Sequence, residues 1–165
     1  MSKISRRQFL SGSPATANVG PFPPGASAAT IADVCTGCGR CMERCPTGII
    51  RMAGGLPSLD FSQGECTFCG ECAQACPEPV FLAERVFRLP VVAAISDDCL
   101  AQRRIACQSC ADACSEQAIR FRPRMGGPFV PELDGAKCTG CGACLNICPA
   151  DAISLRARTV EAADV

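Results

Sequence analysis

Short apolar segments on either side of a turn occur twice in the chain. Residues 49–52 and 58–61 flank a turn that contains Gly and Pro, and residues 117–121 and 129–133 flank another. Short apolar runs on both sides of such a turn are typical of β-hairpins. The pattern therefore predicts two hairpins. No apolar run approaches the roughly 18 residues that a membrane span requires, so we expect no transmembrane segment.

One group of cysteines precedes each predicted hairpin and another follows it. Three of the four groups read C-x2-C-x2-C-x3-C-P, and we expect a short helical turn between the third and fourth cysteines, ended by the proline. The repeat predicts two similar units, each with two cysteine groups around one hairpin. The groups are Cys35, Cys38, Cys41, Cys45; Cys66, Cys69, Cys72, Cys76; Cys99, Cys107, Cys110, Cys114; and Cys138, Cys141, Cys144, Cys148.

The third group departs from this spacing. Residues 100–106 separate its first two cysteines, and Ser115 stands where the other groups have proline. The longer loop still brings three thiols to one place, so we expect a modified site there. Arg103 and Arg104 lie in this loop, either as a docking contact for a partner or as two ordinary solvated charges.

Three further arginines alternate along the second predicted hairpin. Arg120, Arg122 and Arg124 are two residues apart, so they are expected to share one face of a strand. That face is either solvated or a patch for a partner.

Composition narrows the chemistry that is available to the chain. Of 165 residues 16 are Cys, with no His, Trp or Tyr, so we do not expect a large apolar core. The lack of His excludes Rieske centres, His-ligated haem, zinc fingers with mixed ligands and catalytic triads built on imidazole. The sequence also has no glycine-rich nucleotide loop and no Walker motif. We therefore expect the chain not to be an enzyme.

The cysteine spacing predicts four [4Fe-4S] clusters. Cysteines separated by two residues can hold three corners of a cubane from one loop, while the fourth cysteine, on a helical turn, ligates the neighbouring cluster. The predicted ligand sets are Cys35, Cys38, Cys41 and Cys76; Cys66, Cys69, Cys72 and Cys45; Cys99, Cys107, Cys110 and Cys148; and Cys138, Cys141, Cys144 and Cys114.

Zinc and disulfides are the alternative uses of so many cysteines. Zinc sites with four cysteines use two well-separated C-x2-C pairs, and a run of four with a trailing proline is unusual for them. Disulfides need an oxidising compartment, and C-x2-C-x2-C runs are awkwardly close for bridging. The spacing therefore favours iron-sulfur clusters over both alternatives.

The formal charge of the chain changes if clusters are bound. The net charge of 0 and the pI of about 6.2 give no indication of a nucleic-acid partner. An oxidised cluster with four thiolates adds about −2, so four clusters would bring the protein to about −8.

The N-terminal segment differs in composition from the rest. Residues 1–30 have no cysteine and no acidic residue, and we expect them to form a disordered tail. Two-cluster units are expected to follow over 31–84 and 91–157, with a joint near 85–90.

Residues 5–10 match a twin-arginine export signature, but residues 11–25 lack the apolar region that export requires. We therefore expect the protein not to be exported. The Arg6-Arg7 pair is either a contact for an acidic partner or lipid surface, or a chance pair.

Together, the hairpins, helical turns and paired cysteine groups predict an α+β fold of two tandem bacterial-ferredoxin-like units. The order of the cysteine spacings, the longer third group and the Ser-Arg-Arg-x-Phe-Leu segment at 5–10 resemble the NapF family of ferredoxin-type accessory proteins of the periplasmic nitrate reductase system. The Gly-Glu-Cys-Thr-Phe-Cys-Gly segment at 64–70 is also similar to that family.

The resemblance implies a role for the protein and for its cysteines. It implies a cytoplasmic protein that contacts the molybdenum-containing nitrate reductase catalytic subunit before export and helps its iron-sulfur cluster become competent. It also implies that all 16 cysteines are ligands. The alternatives are a soluble polyferredoxin that carries electrons between redox enzymes and a zinc-stapled binding module.

Overall fold

The structure is a computed structural model, and it describes residues 20–82 and 84–158. Within these ranges, short helices alternate with paired strands, which confirms the α+β prediction. The helices are α1 (Ala28–Val34), α2 (Arg40–Glu43), α3 (Glu71–Gln74), α4 (Ser109–Asp112) and α5 (Ala143–Asn146). The strands are β1 (Ile50–Ala53), β2 (Leu56–Leu59), β3 (Val91–Ile95), β4 (Ile119–Arg124), β5 (Gly127–Leu133) and β6 (Ile153–Ala157).

Both predicted hairpins are present. β1 pairs antiparallel with β2, so that Ile50 lies opposite Leu59. β4 pairs antiparallel with β5, so that Ile119 lies opposite Leu133. In each hairpin the paired apolar residues stand next to the cysteine loops, so the hairpin forms a wall of the neighbouring cavity.

A third strand pair joins the two ends of the second unit. β3 pairs antiparallel with β6, with Val91 opposite Ala157 and Ile95 opposite Ile153. In the first unit a single antiparallel bridge between Ala26 and Phe81 takes the corresponding place. The hairpin analysis did not predict either pairing, because the partners are more than 50 residues apart in the sequence.

Four of the helices are single turns between the third and fourth cysteines of the groups. α2, α3 and α5 each begin after a glycine whose φ lies between 79° and 87°. A positive φ of this kind suits glycine, which has no Cβ. α4 begins instead after Gln108, whose φ is −137°, so the loop of the third group enters its helix differently.

The two units share one apolar core. Ile49, Ile50, Leu59 and Phe61 of the first unit are buried together with Leu89 of the connection. Leu145 and Leu155 of the second unit pack against this cluster. The shared core fixes the position of one unit against the other.

The prediction of a tail as far as residue 30 is wrong for residues 20–30. The carbonyl of Pro21 accepts a hydrogen bond from the Leu59 N–H at 2.8 Å, and Pro23 is fully buried. Ser27 caps α1, with reciprocal hydrogen bonds to Thr30. The segment packs because prolines have little backbone entropy to lose and bury apolar surface. Residues 1–19, which include Arg6 and Arg7, lie outside the described residues.

The connection between the units is packed rather than free. Leu89 is 1% exposed, and its N–H donates to the Thr139 carbonyl at 2.9 Å. The Arg88 guanidinium donates to the Ala136 carbonyl at 2.7 Å. Both contacts join the connection to the second unit, while the unit limits of 31–84 and 91–157 stay a prediction.

Candidate metal centres

The 16 cysteines line four cavities, with four cysteines to each. Each cavity receives three cysteines from one group and one from the other group of the same unit. The structure thus brings together the sets that the spacing predicts. Site 1 is lined by Cys35, Cys38, Cys41 and Cys76; site 2 by Cys66, Cys69, Cys72 and Cys45; site 3 by Cys99, Cys107, Cys110 and Cys148; and site 4 by Cys138, Cys141, Cys144 and Cys114.

The exchange of cysteines between neighbouring cavities follows from the single helical turns. Cys41 and Cys45 are four residues apart across α2, which corresponds to a rise of about 6 Å. Cys41 therefore reaches site 1 while Cys45 reaches site 2. The turns α3, α4 and α5 divide the cysteines of the other groups in the same way. One turn of helix is thus shared by two cavities.

The donor geometry fits a cluster of several metal atoms. The four cysteines of each set stand around a shared cavity, which is the arrangement that a cubane with a metal at each thiolate requires.

Backbone N–H groups point at the fourth cysteine of several groups. The sulfur of Cys114 accepts a hydrogen bond from the Ala118 N–H at 3.2 Å. The sulfur of Cys148 accepts one from the Ala152 N–H at 3.3 Å. Val80 stands in the equivalent position, four residues after Cys76. Its N–H donates to the Glu78 carbonyl at 2.8 Å instead of to the cysteine sulfur. The protein therefore supplies unequal hydrogen bonding to the four sites.

Hydroxyl groups also reach thiols, among them those of Thr47 and Ser109. The Thr47 hydroxyl lies 3.6 Å from the sulfur of Cys45, which lines site 2. The Ser109 hydroxyl lies 3.7 Å from the sulfur of Cys107, which lines site 3. Burial by itself would raise the pKa of the Cys45 thiol, but the Thr47 hydroxyl and backbone N–H groups outweigh burial and lower that pKa. Sequence reasoning missed both hydroxyls, although each stands two residues after a ligand.

The cavities differ in their exposure to water. Burial, together with the neighbouring thiols, raises the pKa of Cys66, Cys72 and Cys110 to about 11 and that of Cys144 to about 12. Cys38 of site 1 is exposed, and its pKa is lowered, mainly by a backbone hydrogen bond from Arg40. A buried thiol resists deprotonation. Because the thiolate is the form that binds metal, metal binding must displace the proton of each buried thiol.

The insertion in the third group is fastened to the second hairpin. The Arg124 guanidinium donates to the Ala101 carbonyl at 2.9 Å and to the Gln102 carbonyl at 3.4 Å. Arg104 donates to the Gly126 carbonyl at 3.4 Å. Ala101 is completely buried. The start of the insertion is therefore anchored beside site 3, which Leu100 lines, while residues 102–106 are exposed.

The expectation that three arginines share one face is wrong for Arg124. The pairing of β4 with β5 shifts register between Arg122 and Arg124, at Pro123, which has no N–H to donate. Arg122 pairs with Glu132 at the surface, whereas Arg124 turns to the insertion. In the insertion itself, Arg103 pairs with Asp98. A docking role for these charges stays a prediction.

Comparison with known proteins identifies the family. A model of the 4Fe-4S dicluster domain matches residues 32–80 and again 103–152. The ferredoxin-type protein NapF of Escherichia coli K12 is 40% identical over 152 residues, which cover 91% of this chain and 93% of that protein. NapF of Haemophilus influenzae is 40% identical over 167 residues, 94% and 95% of the two chains. The chain belongs to the NapF family.

Membership of the NapF family makes this an iron-sulfur protein of the ferredoxin type. A shorter match, 46% identical over 52 residues, links the chain to one component of an ion-translocating oxidoreductase complex of Methanosarcina acetivorans and covers 32% of this chain and 18% of that protein. The second dicluster match begins at residue 103, after Cys99, so the insertion separates Cys99 from the part that follows the common pattern. Every helix in the described ranges falls short of the length and apolar character needed to cross a bilayer.

Proposed function

We propose that this member of the NapF family holds four [4Fe-4S] clusters, one at each of sites 1 to 4, with the four cysteines lining each cavity as ligands. The observation that carries the proposal is the grouping of all 16 cysteines, four to a cavity, with one cysteine of each set crossing from the neighbouring group. Such sets match the ligation of two-cluster ferredoxins.

The residues of the chain would bind each cluster and adjust its surroundings. A bound cluster supplies one-electron redox chemistry. The thiolates hold the metal, the apolar walls built by the hairpins exclude water, and donors such as the Ala118 N–H favour the more negative, reduced form. No proton transfer and no bond to a substrate is needed.

Metal analysis tests the cofactor proposal directly. The protein purified without oxygen is expected to contain about 16 iron atoms and 16 acid-labile sulfides per chain. A colourless protein loaded with zinc would contradict the proposal. An iron content near 12 would indicate that one site, with site 3 the first to examine, is not filled.

Single substitutions test the crossed ligand sets. Cys45→Ala is expected to remove the cluster of site 2, although Cys45 belongs to the same cysteine group as three ligands of site 1. Cys76→Ala is expected to remove the cluster of site 1. EPR spectra of the reduced variants distinguish the sites. Loss of the cluster held by the other cysteines of the same group would contradict crossed ligation.

We also propose that the protein acts in the cytoplasm on the molybdenum-containing catalytic subunit of periplasmic nitrate reductase before that subunit is exported. The support is membership of the NapF family, whose relatives match nearly the whole chain. The iron-loaded protein, used as bait under anaerobic conditions, is expected to retain the cytoplasmic precursor of the catalytic subunit. Fractionation is expected to find the protein itself with the cytoplasmic proteins. A precursor that does not bind would contradict the role.

A second candidate is a polyferredoxin that relays electrons between redox enzymes, and the close succession of four cysteine-lined cavities favours it. The two functions differ in when the protein is needed. Depleting a carrier should stop electron flow to nitrate reductase that is already mature. Depleting an assembly factor should leave mature enzyme active and affect only newly made enzyme.

A further inference from the structure

We propose that the two units form one electron path in the order site 1, site 2, site 4, site 3, and that electrons cross between the units at a junction formed by Phe61, Cys66, Cys141 and Gly142. This inference rests on the proposed function, because it requires clusters at the four sites. In each step a reduced cluster passes one electron to an oxidised neighbour, and no bond or proton is exchanged. The first electron comes from an external one-electron donor.

The junction begins with a direct hydrogen bond between two ligands. The N–H of Cys66, which lines site 2, donates to the carbonyl of Cys141, which lines site 4, at 2.8 Å. The two cysteines belong to different units. The cluster loops of the units are therefore in backbone contact at sites 2 and 4, and the hydrogen bond offers a short connection between the two clusters.

A close contact between Phe61 and Gly142 holds this junction together. Phe61 follows β2 in the first unit and is 5% exposed. A Cβ atom at Gly142 would lie 2.1 Å from Cδ1 of the Phe61 ring. Two carbon atoms that are not bonded to each other cannot approach so closely. The ring thus packs directly on the backbone of the site 4 loop. The positive φ of 87° at Gly142 also favours glycine.

Within each unit, the helical turns connect the two sites. Each of α2, α3, α4 and α5 contains the third cysteine of its group, and the fourth cysteine follows two residues after the helix in the other site of the same unit. Since sites 2 and 4 meet at the junction, sites 1 and 3 are left as the two ends of the path. Site 1 has the exposed Cys38, whereas site 3 has the buried Cys99 and Cys110. The geometry therefore makes site 1 the end at which electrons are exchanged with a partner most directly.

Removing single clusters tests the order. Cys69→Ala takes away site 2 and Cys38→Ala takes away site 1, and both residues are the second cysteine of their groups. In the fully reduced full-length protein, Cys69→Ala should leave one of the three remaining clusters, that of site 1, without spin-spin interaction in the EPR spectrum. Cys38→Ala should leave every remaining cluster with an interacting neighbour. An isolated cluster in Cys38→Ala, or none in Cys69→Ala, would overturn the order.

Variants that keep all 16 ligands test the junction itself. Gly142→Ala places a methyl group against Phe61, whereas Gly39→Ala introduces the same strain at a similar φ of 79° with no atom within 4 Å. We expect the interaction between sites 2 and 4 to weaken in Gly142→Ala and to persist in Gly39→Ala. Equal spectra for the two variants would overturn the junction.

A rescue experiment covers the case in which Gly142→Ala also loses iron. Adding Phe61→Ala to that variant removes the clash, so iron content should return, and the Cys66–Cys141 hydrogen bond, which the substitution leaves in place, should restore the spin-spin interaction. Failure to return would overturn the role of the contact. A wild-type protein without iron and sulfide would instead refute the proposed function, so the two failures are distinguishable.

Discussion

In the first unit a single antiparallel β-bridge, between Ala26 and Phe81, joins the segment before the first cysteine group to the segment after the second. In the second unit the corresponding strands, β3 and β6, pair over five residues. The second hairpin is also longer than the first, and it is fastened to the insertion through Arg124. Site 3 has two buried cysteines, while site 1 has an exposed one. Units with the same cysteine plan thus differ in how far the rest of the chain covers their clusters.

This difference matters because an electron-transfer site needs both protection and access. Protein that surrounds a cluster excludes water and oxygen, but it also increases the distance between the cluster and a partner protein. Under the proposed function, the buried Cys99 and Cys110 would give protection at site 3 and the exposed Cys38 would give access at site 1. The cysteine groups determine where clusters can form, and the segments between them determine how exposed each cluster is.

Removal of the metal is expected to have the largest effect. It should also distinguish the two units, because site 1 and site 3 should lose iron at different times. The hydrophobic core consists of cysteines and a small set of apolar residues. The protein without metal should therefore be largely unfolded, which far-UV circular dichroism can measure. During slow chelation, iron should leave site 1 before site 3, because Cys38 is exposed and Cys99 is buried.

The order of release can be assigned with two variants. Cys38→Ala should abolish the fast phase of iron release, and Cys107→Ala should abolish the slow phase. A compact protein without metal that unfolds cooperatively, or simultaneous release from both sites, would contradict this account.

The cavities were predictable from the sequence because ligand spacing is local chemistry. Three thiols separated by two residues each, and a fourth on a helical turn, can be placed without knowing the rest of the fold. The hairpins were predictable for the same reason, since a glycine-rich turn lies between their strands. In contrast, the pairing of β3 with β6 joins distant segments, and no local pattern indicates the partner of Val91–Ile95.

The contacts that distinguish the two units were not predictable. Arg124 looked like one of three equivalent arginines, and only the register shift at Pro123 turns it to the insertion. Phe61 looked like the end of a strand, and its contact with Gly142 depends on how the units pack. Both contacts depend on tertiary geometry, which residue spacing does not contain.

Releasing the anchored start of the insertion beside site 3 is expected to have an intermediate effect. Arg124→Ala removes hydrogen bonds from a charged group to the Ala101 and Gln102 carbonyls. We expect iron to leave site 3 about tenfold faster, a factor that corresponds to about 1.4 kcal/mol and lies near the low end of the ~1.5–3 kcal/mol for hydrogen bonds to charged groups. Chelation kinetics under anaerobic conditions measure the change.

A neighbouring arginine provides the control for this experiment. Arg122→Ala removes an exposed ion pair with Glu132 on the same hairpin, and exposed pairs contribute only about 0–1 kcal/mol. It should therefore leave the release rate nearly unchanged. If the two variants behave alike, the insertion does not protect site 3.

The smallest expected effect is a shift in reduction potential when a hydroxyl beside a thiol is removed, and it can be compared at Thr47 in the first unit and Ser109 in the second. Thr47→Val removes the hydroxyl near the Cys45 sulfur at site 2, and Ser109→Ala removes the one near the Cys107 sulfur at site 3. A donor stabilises the reduced cluster, whose charge is more negative, so both substitutions should lower the reduction potential of their own site. The shift should be at most about 40 mV, because a hydrogen bond contributes about 1 kcal/mol.

Potentiometric titration followed by EPR measures each site separately. Thr47→Ser keeps the hydroxyl and is the matched control for Thr47→Val, so its potential should stay near that of the unmodified protein. The Cys45 sulfur also has backbone donors, which remain in every variant, and this limits the effect of losing the hydroxyl. A raised potential in Thr47→Val, or an equal shift in Thr47→Ser, would show that the hydroxyl does not act as a donor to the thiolate.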